Sequence, residues 1–484
     1  MLLTSLLVVP LLGLLSIVAI PKHAERSIRH IATTATALTL LISLKVLWDF
    51  EPAATVMQFE EHLRWIPQLN IAYHLGVDGL SLSMVLLTTL LSFLACIASW
   101  SIPERQKEYF VLYLLLELGM LGTFLALDLF LFYVFWELVL VPMYFLIGIW
   151  GGGRREYSAF KFFVYTLAGS LAMLLGILAV YLQAHTFDLV ELARLGPTFA
   201  VGFQQLLFVA FFLGFAIKVP IFPFHTWLPD AHVDAPTPIS VLLAGILLKM
   251  GAYGFFRISY PLFPAGAQWF AVAMATLGMI NIVYGAFVAM AQIDFKRLVA
   301  YSSVSHMGFV LLGLASFTPE GMNGALLQMF NHGTITGGMF LLVGVLYDRA
   351  HTRQLDAFGG LGAKLPKYAG FLAFFSLASL GLPGLSGFVS EFLSLVGTFP
   401  VWQWQTMVSV IGIVVAAAYM LMVMQRVLLG QLNPKWAGMP DMTRREMLTL
   451  VPLLVIVLLV GVYPLLILQL QDPSIHALIA HLKP

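Results

Sequence analysis

Apolar residues in this chain come in runs of about twenty, separated by short polar stretches that hold most of the charges. That length matches the roughly 20 residues a helix needs to cross a hydrocarbon core of about 30 Å. About fourteen runs follow one another, near 2–20, 30–48, 79–100, 109–127, 129–149, 160–184, 203–225, 237–258, 268–290, 299–317, 322–347, 368–398, 404–428 and 447–470. They are too long and continuous for the alternating strands of a membrane barrel, and only helices or closed barrels satisfy their own backbone in lipid. The pattern predicts an all-α polytopic membrane protein, a single transmembrane domain over 1–484 with about 14 transmembrane helices. The longest connections, around 49–78 and 185–202, leave room for short surface elements only. The first run carries its basic residues after it, which reads as a first spanning helix and not a cleaved leader.

Composition sharpens this picture. Of 484 residues, 60% are hydrophobic and 10% charged, too apolar for a soluble domain to hide. A net charge of +1 argues against nucleic acid as a partner. Cys96 is the single cysteine and lies in an apolar run, which excludes disulfides and cysteine-ligated clusters. The chain carries no phosphate-binding loop and no dinucleotide fingerprint, so any redox chemistry is expected in other chains, with no cofactor and no metal held here. Basic residues then give the orientation. Seventeen lie in odd-numbered loops, from Lys22 and Arg26 through Lys296 and Arg297 to Arg444 and Arg445, against Arg64 and Arg194 in even-numbered ones. Basic loops stay cytoplasmic, so both termini are expected on the non-cytoplasmic side of a bacterial inner membrane.

The charges left inside the apolar runs carry the candidate chemistry. They include Lys218, Lys249 and Arg426, the acids Glu117, Asp128, Glu137 and Glu391, and the imidazoles His306 and His332. Each ionisable group in a bilayer core costs at least about 2.5 kcal/mol, so a chain that buries this many is expected to use them. Two lie beside helix breakers. Lys218 precedes Pro220 and Pro223 in GFAIKVPIFPFHTWLPDAH, and Glu391 follows Pro383, Gly384 and Gly387 in LGLPGLSGF. A proline removes a backbone donor, and the freed carbonyls are tolerated in mid-membrane only inside protein or along a wet cavity. The breaks make room for charge.

The spacing of these positions repeats. Glu137 and His306 are 169 residues apart, Lys218 and Glu391 are 173, and Lys249 and Arg426 are 177. Near-constant offsets predict two five-helix repeats, 109–258 (helices 4–8) and 268–428 (helices 9–13), with discontinuous helices 7 and 12. An odd helix count inverts the second copy, as in transporters built from inverted repeats.

Each position admits a quieter reading. Lys218 with Glu137 is either a switchable pair or a static ion pair. Lys249 is a mid-membrane relay or a lysine reaching an interface. Glu391 holds a proton or caps the half-helix that starts near Gly387, and His306 and His332 relay protons or are merely hydrogen-bonded. Asp128, Glu117 and Arg426 read as path-edge or stabilising charges. His225, Asp230, His232 and Asp234 in HTWLPDAHVDAPTP read as a gate or cap in preference to a metal site.

FWELVLVPMYFLIGIWGG, KVPIFPFHTWLPDAHVDAPTP, LLAGILLKMGAYGFFR, KRLVAYSSVSHMGFVLLG and LPGLSGFVSEF resemble the antiporter-like membrane subunits of proton-pumping NADH–quinone oxidoreductase, respiratory complex I, from about 70 to 430. The resemblance implies fourteen helices, inverted repeats, and proton translocation driven by redox chemistry in other subunits. By position, it implies Glu137 and Lys218 as the first switch, Lys249 as central relay, Glu391 as terminal residue, and His306 and His332 beside the path. Glutamate at the terminal position, and no long C-terminal lateral helix, are similar to the M-type branch. Flavin and iron–sulfur clusters are expected in partner subunits, and the partners implied are the L-type and N-type antiporter-like chains and lipid. The same fold recurs in multisubunit Na⁺/H⁺ antiporters and membrane-bound hydrogenases, which leaves that alternative standing.

Overall fold

A computed structural model describes residues 1–482. Among these, thirteen helices are long and apolar enough to cross a membrane, from Leu2–Ala19 to Arg444–Val462. The twelfth predicted run, 368–398, is split into Pro366–Ser379 and Ser386–Thr398, each too short to span alone. Pro383 and two glycines with left-handed backbone, Gly381 (φ 81°) and Gly384 (φ 94°), occupy the gap. Glycine reaches that conformation without the Cβ clash that other residues meet. Run seven ends as a helix at Lys218, and the chain resumes helical form at Trp227–Asp234.

Several boundaries differ from the sequence reading, each for a local reason. Run 129–149 is hitched at Val139 between Leu129–Leu138 and Leu140–Trp150. Pro142 cannot donate to the carbonyl of Leu138, so the ladder loosens one residue after Glu137. Span Thr237–Leu262 carries two π-helical turns, Leu243–Leu247 and Phe255–Ser259, on either side of the α-helical Leu248–Gly254 that holds Lys249. Such turns widen a helix by one residue and are frequent at functional sites. Run 447–470 breaks at Tyr463, because the residue before a proline avoids helical angles, and a further helix, Leu465–Leu482, follows Pro464.

The connection near 49–78 holds more than a surface element. Strands β1 (Gln58–Ile66) and β2 (Ile71–Val77) form an antiparallel hairpin, and nearly all of β2 is buried. Asp128 explains part of this burial. Its carboxylate N-caps Leu129–Leu138 by accepting from the amides of Phe130 and Leu131, and it also accepts from Ala72 at 3.0 Å. A residue suspected of path-edge chemistry is thus a cap that holds β2.

The chain forms two compact units. The first comprises Met1–Pro220, Ile246–Val272 and Gln469–Pro484; the second comprises Ile221–Gly245 and Ala273–Leu468. The chain leaves the first unit inside the break behind Lys218 and re-enters it within the π turn ahead of Lys249. In the second unit, Gly321 and Gly324 of Pro319–Ala350 face Gly397 and Ser394 of Ser386–Thr398 so closely that a Cβ would meet backbone. Small residues of this kind let membrane helices approach where no hydrophobic drive exists between them.

Candidate functional site

In the first unit, Lys218 is the last residue of Val201–Lys218 and is 2% exposed. Its ammonium faces rings, with Nζ 5.0 Å from the centre of Trp136 and 5.9 Å from that of Phe162. A desolvated cation over indole gains about 2 kcal/mol, which offsets part of its burial cost. Trp136 immediately precedes Glu137, whose charge acts on Lys218. One Glu137 oxygen, Oε1, has no hydrogen-bond partner among the described residues. Sequence reading placed freed carbonyls around the ammonium; aromatic faces and a carboxylate at a distance are what surround it.

Lys249 is fully buried, which removes the reading of a lysine reaching an interface. Its helix packs on that of Lys218 through glycine: a Cβ on Gly251 would lie 2.8 Å from the Phe215 carbonyl and 3.0 Å from Cβ of Lys218. A buried ion pair in this unit escaped the sequence reading. Arg257 bonds Asp78, which also N-caps Gly79–Ala98, and its Nε donates to the Tyr253 hydroxyl at 2.9 Å. Arg257 ends a quoted motif, but its partner lies 179 residues away.

The second unit gathers a continuous hydrogen-bonded group. His306 Nδ1 lies 2.8 Å from Glu391 Oε1, and its Nε2 lies 3.2 Å from Ser379 Oγ, at the end of the half-helix before the break. Gln328 donates to the same Glu391 oxygen at 3.4 Å and accepts from Ser390 Oγ at 2.5 Å. Asn331 donates to Ser390 Oγ at 3.0 Å and to the Ser386 carbonyl at 2.7 Å. His332 stands beside His306 with ring centres 5.8 Å apart. His306, Gln328, His332, Ser379 and Glu391 line a cavity with about 10 Å³ open to the centre of a water molecule, room for about one. Glu391 therefore faces His306 and Gln328 from the second turn of its half-helix and is not its cap.

Gln328, Asn331, Ser379 and Ser390 were missed by sequence reading. The signal for two of them was present: Gln328, Asn331 and His332 in QMFNHGT are three and four residues apart, one face of a helix. Other candidates resolve into structural contacts. Arg426 sits in the last turn of Gln403–Leu428 and pairs with Asp356 at 3.0 Å, partly exposed rather than deep. Asp230 pairs with Arg297, His232 stacks on Phe340 and His225 on Phe222, so the HTWLPDAHVDAPTP cluster is dispersed. Lys296, counted as a loop residue, is buried and donates to the Ala235 carbonyl at 2.5 Å. In the hairpin, burial pulls the His74 imidazole down, but Asp188 at 2.7 Å and Glu60 at 3.2 Å outweigh it and raise it above 6.5. Burial likewise pushes the Asp188 carboxyl up, and the His74 hydrogen bond carries it below 3.8.

Residues 126–419 match the model of the family described as NADH:quinone oxidoreductase/Mrp antiporter, transmembrane. The chain is 48% identical over 468 residues to NADH-quinone oxidoreductase subunit M of Rhodobacter capsulatus, covering 94% of this chain and 91% of that one. A chain of respiratory complex I from Thermus thermophilus superposes with TM-score 0.92 at 32% identity, with full coverage of both. A chain of the Mrp complex of Dietzia shares the fold, with TM-score 0.87 at 21% identity over 99% of this chain and 98% of that one. The chain belongs to the NADH:quinone oxidoreductase/Mrp antiporter family of membrane proteins, in the branch of the subunit M chains.

Proposed function

We propose that this chain is a proton-translocating membrane-arm subunit of an NADH–quinone oxidoreductase, moving protons through buried Lys, Glu and His while redox chemistry proceeds in other subunits. The 48% identity to subunit M of Rhodobacter capsulatus over 94% of this chain supports the complex. The observation that carries the mechanism is chemical: a buried ammonium and a buried imidazole–carboxylate pair each stand at a broken helix.

A proton from the basic-loop side is taken up at Lys218. A carboxylate near an ammonium favours the charged form and its withdrawal disfavours it, so separating Glu137 from Lys218 drives the proton onward to Lys249. His306 and His332 then pass it to Glu391, which releases it on the far side. Against a proton motive force of about 200 mV each charge must be lifted by about 4.6 kcal/mol. At about 1.4 kcal/mol per pK unit, a site must alternate its affinity by about three to four units. Ring faces around Lys218 supply little fixed solvation, which makes its proton hold responsive to Glu137. Glu137, Lys218, Lys249, His306, His332 and Glu391 are the working residues, and no redox centre belongs to this chain. Flavin and iron–sulfur clusters belong to partners, L-type and N-type chains and lipid flank it, and repeats 109–258 and 268–428 are its inverted halves. It sits in a bacterial inner membrane with both termini on the non-cytoplasmic side.

Lys218→Ala tests this in the assembled complex. Proton uptake by inverted vesicles and coupled NADH oxidation fall together, with assembly intact. Loss of sodium transport alone would place the chain with the Na⁺/H⁺ antiporters, and unchanged turnover would make it a spacer.

A further inference from the structure

One buried acid of the first unit has no role in that route. Glu117, in helix Gln106–Leu125, is 0% exposed, and neither of its carboxyl oxygens has a hydrogen-bond partner among the described residues. It stands on a face with Tyr109 and Tyr113, one residue every fourth. Opposite lie Ser92, Cys96 and Ser99 of the third spanning helix, and Thr33 and Thr36 of Glu25–Asp49, also at helical spacing. The three stripes touch. Ser99 Oγ lies 2.9 Å from the Tyr109 hydroxyl, Tyr113 donates to the Ser92 carbonyl at 2.5 Å, and Thr33 Oγ1 lies 3.6 Å from Cys96 Sγ.

The seam opens at the basic-loop side. Trp100 Nε1 donates to Thr33 at 3.0 Å, and Trp100 also lines an open pocket of about 600 Å³ with His23, Arg26, Arg29 and His30. Helix packing accounts for the serines, threonines and the cysteine, since small polar residues suit close contacts in lipid. It does not account for Glu117, because a carboxyl group without partners in such a place costs several kcal/mol that an apolar residue would avoid.

We propose that Glu117 is a further proton-binding site of the first unit, exchanging its proton with the basic-loop side along this seam. The idea rests on the reading of the chain as a proton translocator. At Glu117 an O–H bond breaks as a water molecule takes the proton and re-forms when one returns it. The hydroxyl and thiol groups between donate and accept with no net change.

The assembled complex in inverted vesicles tests it, with Glu117→Gln, Glu117→Asp and Thr33→Val beside the parent and Lys218→Ala. Two signals are read: proton uptake during NADH oxidation, and the infrared band of protonated carboxyl groups with its exchange in D₂O. Glu117→Gln removes one carboxyl band and slows proton uptake about tenfold, less than the hundredfold or more of a directly transferring group because the Lys218 route remains. Glu117→Asp keeps a shifted band and recovers most uptake. Thr33→Val keeps the band and slows its deuterium exchange. Parental uptake with no band lost in Glu117→Gln overturns the proposal. Should Glu117→Gln fail to assemble, unchanged exchange in Thr33→Val overturns it instead. Lys218→Ala separates the two levels: its loss beside a normal Glu117→Gln sinks only the role of Glu117, whereas normal uptake in Lys218→Ala sinks the reading beneath it.

Discussion

The two broken helices hold their charges in opposite ways. At the first, the Lys218 ammonium lies over the rings of Trp136 and Phe162, and Glu137 acts on it through space. At the second, Glu391 is wired to His306, Gln328 and, through Ser390, to Asn331. Ring contacts are broad in geometry and cheap to rearrange, whereas a hydrogen-bonded network in a low-dielectric interior fixes each member and is costly to open. On the proposed function, the first site changes its proton hold and the second conducts through fixed groups and about one water.

The sharpest way to break this contrast is to remove the acid at each site. Glu391→Gln lowers proton uptake on the order of a hundredfold, because the group transfers the proton itself, while Glu137→Gln lowers it about tenfold by biasing Lys218 alone. Equal losses measured in vesicles would erase the distinction. A double-mutant cycle of His306→Ala with Glu391→Gln is next, with a coupling of about 0.5–3 kcal/mol on the transport barrier, as for residues in direct contact. The same cycle on Lys218→Ala and Trp136→Leu gives the smaller coupling of the two.

Gly387→Ala probes the support of the second site. A Cβ there meets the Ala378 carbonyl across the break, so the half-helices must shift, at about 1–3 kcal/mol in thermal stability of the complex. The smallest effect lies outside both sites, in the hairpin. A raised His74 stabilises the fold fully below 6.5 and loses that contribution as pH climbs through its raised value. A lowered Asp188 stabilises above 3.8 and loses its contribution as pH falls through its depressed value. Protection of the β1 and β2 amides relative to their intrinsic exchange rates is therefore greatest between 3.8 and 6.5 and falls towards alkaline pH. His74→Leu flattens that alkaline limb, and an unchanged limb would remove His74 as its cause.

The fold was legible where burial needs only length. Runs of about twenty apolar residues dictate helices, because lipid offers the backbone no other partner. Both breaks were legible too, since Pro220, Pro223 and Pro383 remove donors wherever they sit. The hairpin was hidden because its burial depends on Asp128 accepting from Ala72, 56 residues earlier. The π turns around Lys249 were hidden because a one-residue widening leaves no mark on hydrophobic periodicity.

By itself the sequence determined that the chain is a succession of long apolar helices, that Lys218, Lys249, Glu391, His306 and His332 are buried, and where its helices give way. These follow from the cost of exposing polar backbone or charge to hydrocarbon, which acts on each segment separately. Tertiary structure alone decided the company each charge keeps: rings for Lys218, an imidazole and an amide for Glu391, a polar seam for Glu117. Those partners lie on other helices, 85 residues apart for His306 and Glu391, and only packing brings them together.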